Sequence, residues 1–447
     1  MIRIAISGGG LAGASLIHAL MQYKHLDVHI FESASAFKEE GFAIGVARNA
    51  ITALELIGPS AIECLDRAEA VEMRGSRFKV AQGQDQGATV YEINEAPGKR
   101  VTSVVQRSEF LRELLAIVPP GRMHASKKLK GVDRASDKGP ITLKFTDNTS
   151  HECDILVGAD GIHSTVRKLI LDSEDPAAIP RNTGWWCVMV LVNFEEAQDV
   201  MGEEFVDIED AREYVWIGDG TFLMHNILKQ GTLVQLVLAS RDENDKNRDQ
   251  WRKTIKTDTL QQLYKDFPPY LKEAVDELIC NKDEHEAFYL WEHLPADSYV
   301  RGPMCIMGDA AHATTPWQGA GCGMSFEDSL ILSTLLGRAR DTDEALIALQ
   351  VYDEFRLPCT QLVVKSSRAT GNVLTGKSGG VGLDAEKLKK WLSGKWDFIL
   401  NADNKLQRDG AQVRMDILRI QTKNKKYMDM LAAAESERLV AADTQSN

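Results

Sequence analysis

A chain of 447 residues is too long for one small core and suits two or three interleaved domains. Charged residues at 26% and hydrophobic ones at 44% describe an ordinary globular protein. A formal net charge of −13 argues against nucleic acid as a general partner, because phosphate binding needs basic patches. The seven cysteines are odd in number, widely spaced and form no CxxC, so neither a disulfide framework nor a zinc site is expected. Met1 runs straight into "IRIAI" without a secretory leader, and no apolar run approaches the roughly 20 residues of a membrane span. The expectation is a cytoplasmic protein with reduced thiols.

"MIRIAIS" predicts a short apolar strand of the kind buried in a parallel sheet. "LAGASLIHALMQY" follows with helical spacing, and "LDVHIFES" reads as a second strand. The spacing Gly8-x-Gly10-x-x-Gly13 falls where the first strand turns into the helix, and Glu32 ends the second strand. Gly8 permits the tight turn, Gly10 lets a pyrophosphate touch the backbone, and Gly13 lets helix and strand pack closely. The helix start offers unpaired N–H groups and a positive dipole to phosphates. Glu32 suits a ribose diol and disfavours a 2′-phosphate, so NADP is not expected in this site. A structural glycine turn is the plainer alternative.

Two further glycine–aspartate signals lie downstream. In "CDILVGADGIHSTVR" a strand from Ile155 to Val157 runs into Asp160-Gly161, then a short helix carrying Arg167. In "MCIMGDAAHATTPWQGAGCGMSFEDSLILSTLLG" a buried strand ends in Gly308-Asp309, and a loop rich in glycine leads to a long helix beginning near Cys322. Either aspartate could instead be a strand-end cap. Between these segments, "GWWCVMVLVNF" and "EYVWIGDGTFLMHNILKQGTLVQLVLAS" read as successive strands with turns at "GDG" and "KQG", hence an antiparallel sheet. Alternation separates Trp185, Cys187 and Met189 from Trp186, Val188 and Val190. It likewise separates Leu223, His225 and Ile227 from Phe222, Met224 and Asn226. His225 is the mid-strand group that titrates near neutrality. Residues 340 to 425 carry helical periodicity with an interruption expected at Pro358, and the C-terminal stretch reads as a helix fraying into a tail.

The three ordered segments together resemble the class A FAD-dependent aromatic monooxygenases of the p-hydroxybenzoate hydroxylase fold. "HLDVHIFESASAF", "QRSEFLRELL" and "GDAAHATTPWQGAGCGMSFEDSLIL" look most like salicylate hydroxylases and related fungal phenol hydroxylases. The resemblance covers about residues 1 to 60, 100 to 178 and 295 to 375, and is weak across 180 to 290. It implies an α/β protein: a Rossmann-type FAD-binding domain with an inserted antiparallel-sheet substrate domain and C-terminal helices. The FAD-binding parts would be 1–72, 100–178 and 293–340, the substrate parts 73–99 and 179–292, and the helices and tail 341–447.

The implied cofactors are FAD, NADH or NADPH as a transient reductant, and O2. The implied partner is a small aromatic substrate, and the implied assembly a monomer or homodimer. Gly8, Gly10, Leu11, Ala12 and Gly13 would face the pyrophosphate and Glu32 the ribose. Arg107 would reach the cofactor near the pyrophosphate, with a helix-face ion pair as its alternative. Asp160 and Gly161 would serve both FAD and the reductant, and Gly308-Asp309 the ribityl chain. Pro316 would sit by the flavin ring, with Gly319, Ala320 and Gly321 presenting N–H groups to it. Arg48, standing where the subgroup shows a proline, joins the cofactor-binding set.

The implied reaction is ring hydroxylation through a flavin C4a-hydroperoxide. Trp185, Trp186, Trp317 and His225 are the candidate substrate contacts, and His225 and Pro316 the candidate catalytic residues. His225 would bind or deprotonate a phenol. A histidine satisfied within the sheet, and tryptophans packed in a core, are the alternatives. Departures stand beside the likeness: "GWWCVMVLV" lacks the arginine that many phenolate-using relatives carry there, and the proline of a later "YP" stretch is missing. A charged benzoate-like substrate is therefore in question. An epoxidising or dearomatising monooxygenase of larger polyketides or alkaloids, and a non-catalytic flavin-binding redox protein, are the rival readings.

Overall fold

The computed structural model describes residues 1–38, 42–94, 101–134, 139–172, 174–242 and 249–445, with side chains to residue 432. The first strand, Ile2–Ser7, pairs in parallel with Leu26–Phe31 on one side and Ile155–Gly158 on the other. Met304–Ile306 continues the same sheet in parallel beyond Ile155–Gly158. Four of the strands expected from apolar runs thus share one sheet, although long stretches of chain separate them. Being buried on both faces, they can be near-continuously apolar. Helices Leu11–Leu20 and Gly321–Arg338 pack on this sheet, and Leu16, Ile17, Phe326 and Leu332 are all fully buried in its core.

The glycines of the first turn are dictated by contact. Gly8 has φ +111°, and a Cβ there would lie 2.1 Å from the Ala159 carbonyl oxygen. A Cβ on Gly13 would lie 2.0 Å from the Gly8 carbonyl oxygen, so helix and turn can approach only without it.

The second layer is an eight-stranded sheet built from residues 75–94 and 181–292. Its strands are antiparallel except for one pair: Arg212–Ile217 runs parallel to Gly75–Val80. The strands expected between 180 and 290 thus pair antiparallel with one another, and the parallel partner arrives from far upstream rather than through a hairpin. One face packs on helices such as Thr257–Tyr264 and Pro269–Ala274, around Leu223, Leu236, Leu260 and Leu271. The other turns toward the first layer. A small sheet of Ala43–Ala47, Thr102–Gln106 and Val71–Met73 stands between the two.

The helix Thr342–Leu374 runs through Pro358 without the expected interruption. Proline removes one backbone donor there. Buried Tyr352, Arg356, Thr360 and Val363 on both sides of it keep the helix on the core.

Candidate active site

A cavity of about 890 Å³ runs between the two main layers. Gly8, Gly10, Leu11, Ala12 and Glu32 line one end, Arg107 and the 159–161 backbone flank it, and Asp309, Pro316, Gly319 and Gly321 lead to the sheet. Glu32 accepts the Gly9 and Ala34 N–H groups, each at 2.7 Å, which fixes its carboxylate beside the glycine turn. Arg107 opens the helix Arg107–Leu115, and its N–H is held by the Phe42 carbonyl at 3.0 Å. Asp160 serves as a helix cap: its carboxylate accepts the Ser164 hydroxyl and the Thr165 N–H at 2.7 Å. The capping alternative therefore describes its side chain. Gly161 beside it has φ +71° and open space above its Cα.

Along residues 303–320 only Asp309, Pro316 and Gly319 are exposed, and all three line the cavity. Gly319 is left-handed at φ 63°, and Gly321 starts an 18-residue helix whose first-turn amides have no acceptor within the helix. Gly13, Gly308 and Ala320 stand one step behind the lining residues and shape the turns that carry them. Arg48 does not join them. It opens the helix Arg48–Ile57 and approaches Asn401 Oδ1 at 3.5 Å, outside the cavity lining, which corrects its cofactor assignment.

Two buried networks hold this half in place. Arg167, fully buried, donates to the carbonyls of Ala310 at 2.9 Å and Ala311 at 2.6 Å, tying the second motif to the third. Burial brings its pKa down to about 10. Asp328, also fully buried, accepts the Gly308 N–H at 3.0 Å and Arg356 Nε at 2.7 Å, and pairs with His312 Nε2 at 2.7 Å. Arg356 also reaches Glu327 at 2.8 Å, and Glu327 holds Asn49 at 2.8 Å. The sequence reading missed both networks, because a charge inside an apolar helix has no periodic signature that names its partner.

The sheet side follows strand parity. Phe222, Met224 and Asn226 face the cavity, as do Cys187 and Met189. His225 lies on the opposite face, fully buried, stacked 5.0 Å from the Tyr214 ring with Nε2 3.1 Å from the Phe205 carbonyl oxygen. Burial pushes its pKa down to about 4. His225 therefore lies outside the cavity lining, which corrects its substrate and catalytic assignments; its Nε2 is engaged, while its buried Nδ1 has no partner among the described residues. Trp186 goes with it into the helix-side core, which corrects its assignment too. Trp185 packs edge-on against Trp317 at 5.4 Å and supports the cavity wall from behind, while Trp317 itself lines the cavity. Among the lining residues that sequence reasoning missed are Ser76, Glu213 and Gln235.

A glycine turn with a helix start at one end, an exposed acid lining the middle and an apolar sheet face beyond fit an elongated dinucleotide flavin that meets a second, apolar molecule. The fold and the site together define a flavin-dependent oxidoreductase. Residues 1–367 match the family described as "FAD binding domain", and the chain belongs to that family. It is 33% identical over 453 residues to the 6-methylsalicylate 1-monooxygenase atA of Aspergillus terreus, covering 96% of this chain and 95% of that protein. It is 29% identical over 446 residues to a salicylate hydroxylase of Pseudomonas putida, covering 92% and 95%. The fold is similar to that of a salicylate hydroxylase substrate complex, with a TM-score of 0.78 at 24% identity over 92% of this chain and 98% of that one. The HpxO of Klebsiella pneumoniae complexed with FAD and uric acid gives 0.71 at 21% identity, over 91% and 96%. The chain is an FAD-dependent monooxygenase. Among the described residues no helix is long and apolar enough to cross a membrane.

Proposed function

We propose that the chain hydroxylates a small aromatic ring, phenolic or salicylate-like, held beneath the eight-stranded sheet, at the expense of NAD(P)H and O2. The observation that carries this reading is the shared cavity: Pro316, Trp317 and Gly319 line the same cavity as the glycine turn and the apolar sheet face, and Trp317 packs edge-on against Phe222 of that face. FAD, when bound, takes electrons from NAD(P)H and activates dioxygen. The protein's part is positional. Gly8 and Gly10 leave the backbone open to the pyrophosphate, and Asp309 stands toward the sugar alcohol. The Gly319–Gly321 loop and the helix start offer N–H groups to the ring edge where charge gathers on reduction. Val215, Phe222, Met224 and Trp317 exclude water around the ring. No side chain has to act as a nucleophile.

The test is a visible spectrum of the purified protein, followed by NAD(P)H oxidation across phenols and benzoates with products identified by mass. Oxidation accelerated by one compound, with a product heavier by one oxygen, supports the reading. Bound flavin with no stimulation by any of them refutes it.

A further inference from the structure

One row of the sheet interrupts the apolar wall. Ser76 pairs with Glu213, Asn226 follows on the next strand and pairs with Gln235, so the four lie side by side across adjacent strands. All four line the cavity. The Ser76 hydroxyl approaches Glu213 Oε1 at 3.4 Å, the Asn226 side chain also bonds Glu213, and Gln235 Oε1 accepts the Ala43 N–H at 2.7 Å. Asn226 is only 2% exposed, yet its Oδ1 has no partner. Burial raises the Glu213 pKa above the usual carboxylate range. The next row inward, Phe78, Val215, Met224, Val237 and Met189, is apolar throughout.

The cations are elsewhere. Arg107, Lys127 and Lys128 line the dinucleotide end near Glu32. Arg77 and Lys79 turn to the opposite face of the sheet, over Tyr214 and Trp216. Among the described residues no arginine or lysine of the sheet lines the cavity. The row thus presents acceptors and an acid with nothing to neutralise a second acid. A ring hydroxyl or N–H donor would satisfy Asn226 Oδ1 and Glu213 together. A ring carboxylate would have to shed its water in a dry row that holds no cation to replace it.

We propose that Glu213 and Asn226 are the substrate-orienting pair, and that they select an uncharged aromatic ring bearing hydrogen-bond donors over its carboxylated counterpart. This rests on the hydroxylase reading for the identity of the bound ring as substrate. The experiment is calorimetric titration of the FAD-loaded enzyme with resorcinol and with β-resorcylate, which differ by one carboxylate, alongside NAD(P)H oxidation with each. Resorcinol is expected to bind at least about tenfold tighter, since β-resorcylate must be desolvated with no cation beside it. Glu213→Gln is expected to weaken resorcinol about tenfold, because an acceptor oxygen facing the ring donor is replaced by an NH2 that donates, and so to narrow the ratio between the two rings. Its flavin content and melting temperature report whether it folds, and the wild-type ratio decides the matter if it does not. Tighter binding of β-resorcylate to the wild type, a ratio unmoved by a folded Glu213→Gln, or binding of neither ring overturns the proposal. Resorcinol bound by the pair without stimulated NAD(P)H oxidation upholds the selectivity and sinks the hydroxylase reading alone.

Discussion

Asp328→Asn is the substitution that most directly tests how the third motif is held. The carboxylate is fully buried and serves three partners: the Gly308 N–H, His312 Nε2 and Arg356 Nε. An asparagine keeps the shape but has one acceptor oxygen and an NH2 that donates. In either orientation that NH2 faces a donor, and Arg356 is left with Glu327 as its carboxylate partner. Breaking a buried ion pair in this way is expected to cost about 3–5 kcal/mol. Gly308, at φ +58°, carries Asp309 toward the cavity, so FAD retention should fall with stability. The assay is urea unfolding followed by tryptophan fluorescence, with and without excess FAD. The midpoint should drop while the slope stays constant. A loss below about 1 kcal/mol would refute the argument that Asp328 anchors the network. The pH dependence has a definite sign. Burial alone would raise the Asp328 pKa, but His312, Arg356 and the Gly308 N–H outweigh it and bring it to about 2. Its contribution is therefore present above the unfolded carboxylate pKa of about 4 and is lost only as pH falls toward the folded value.

Gly13→Ala should lose flavin as well as stability, because its Cβ would sit 2.0 Å from a backbone oxygen that cannot move aside, at a cost of about 1–3 kcal/mol. A flavin-to-protein absorbance ratio equal to wild type would sink this. His29 Nδ1 lies 2.9 Å from His124 Nε2, and His151 packs on both rings. Burial, then charge from neighbouring basic groups, lowers the pKa of His124 and of His151. The unfolded chain binds those protons more readily, so stability should be full above about pH 6.5 and fall below it. Melting curves at about pH 7.5 and 5.5 should show that drop, and His124→Phe with His151→Phe should flatten it. His225→Phe should leave the shape of the pH–rate profile near neutrality intact; disappearance of a near-neutral ionisation with the melting temperature unchanged would restore the catalytic reading.

The cofactor half was legible because its constraints are local. Gly8, Gly10 and Gly13 act on the backbone of the turn in which they stand, and the flanking strand and helix are visible in hydrophobic period. Gly308-Asp309 and Gly319–Gly321 are legible for the same reason. The substrate half was not. Alternation correctly separated Phe222, Met224 and Asn226 from Leu223, His225 and Ile227, but alternation does not say which set faces helices and which faces a cavity. Ser76 was invisible as a site residue because its strand comes from a distant part of the chain and runs parallel to Arg212–Ile217. Arg48 misled because its neighbours in sequence line the cavity, whereas its own side chain turns to Asn401.

What selects the cavity face is the packing behind the sheet. Leu223, Ile227 and Leu236 are each no more than 1% exposed against the helices. From that side the Tyr264 hydroxyl reaches the Phe222 carbonyl at 2.9 Å and the Ala239 carbonyl at 3.1 Å. A slip of one residue would expose this leucine-rich set and bury the other, so the register is strongly specified. The same slip would bring Tyr214 and His225 to the cavity in place of Glu213 and Asn226, exchanging an acid and an amide for a phenol and an imidazole. The set of side chains that lines the cavity is thus fixed by residues that do not line it, while the polar row itself is free of the glycine turn and of Asp309. Substitutions at Ser76, Glu213, Asn226 or Gln235 should therefore shift which ring binds without releasing FAD, and substitutions in the Asp328 network should release FAD without changing the order in which rings bind.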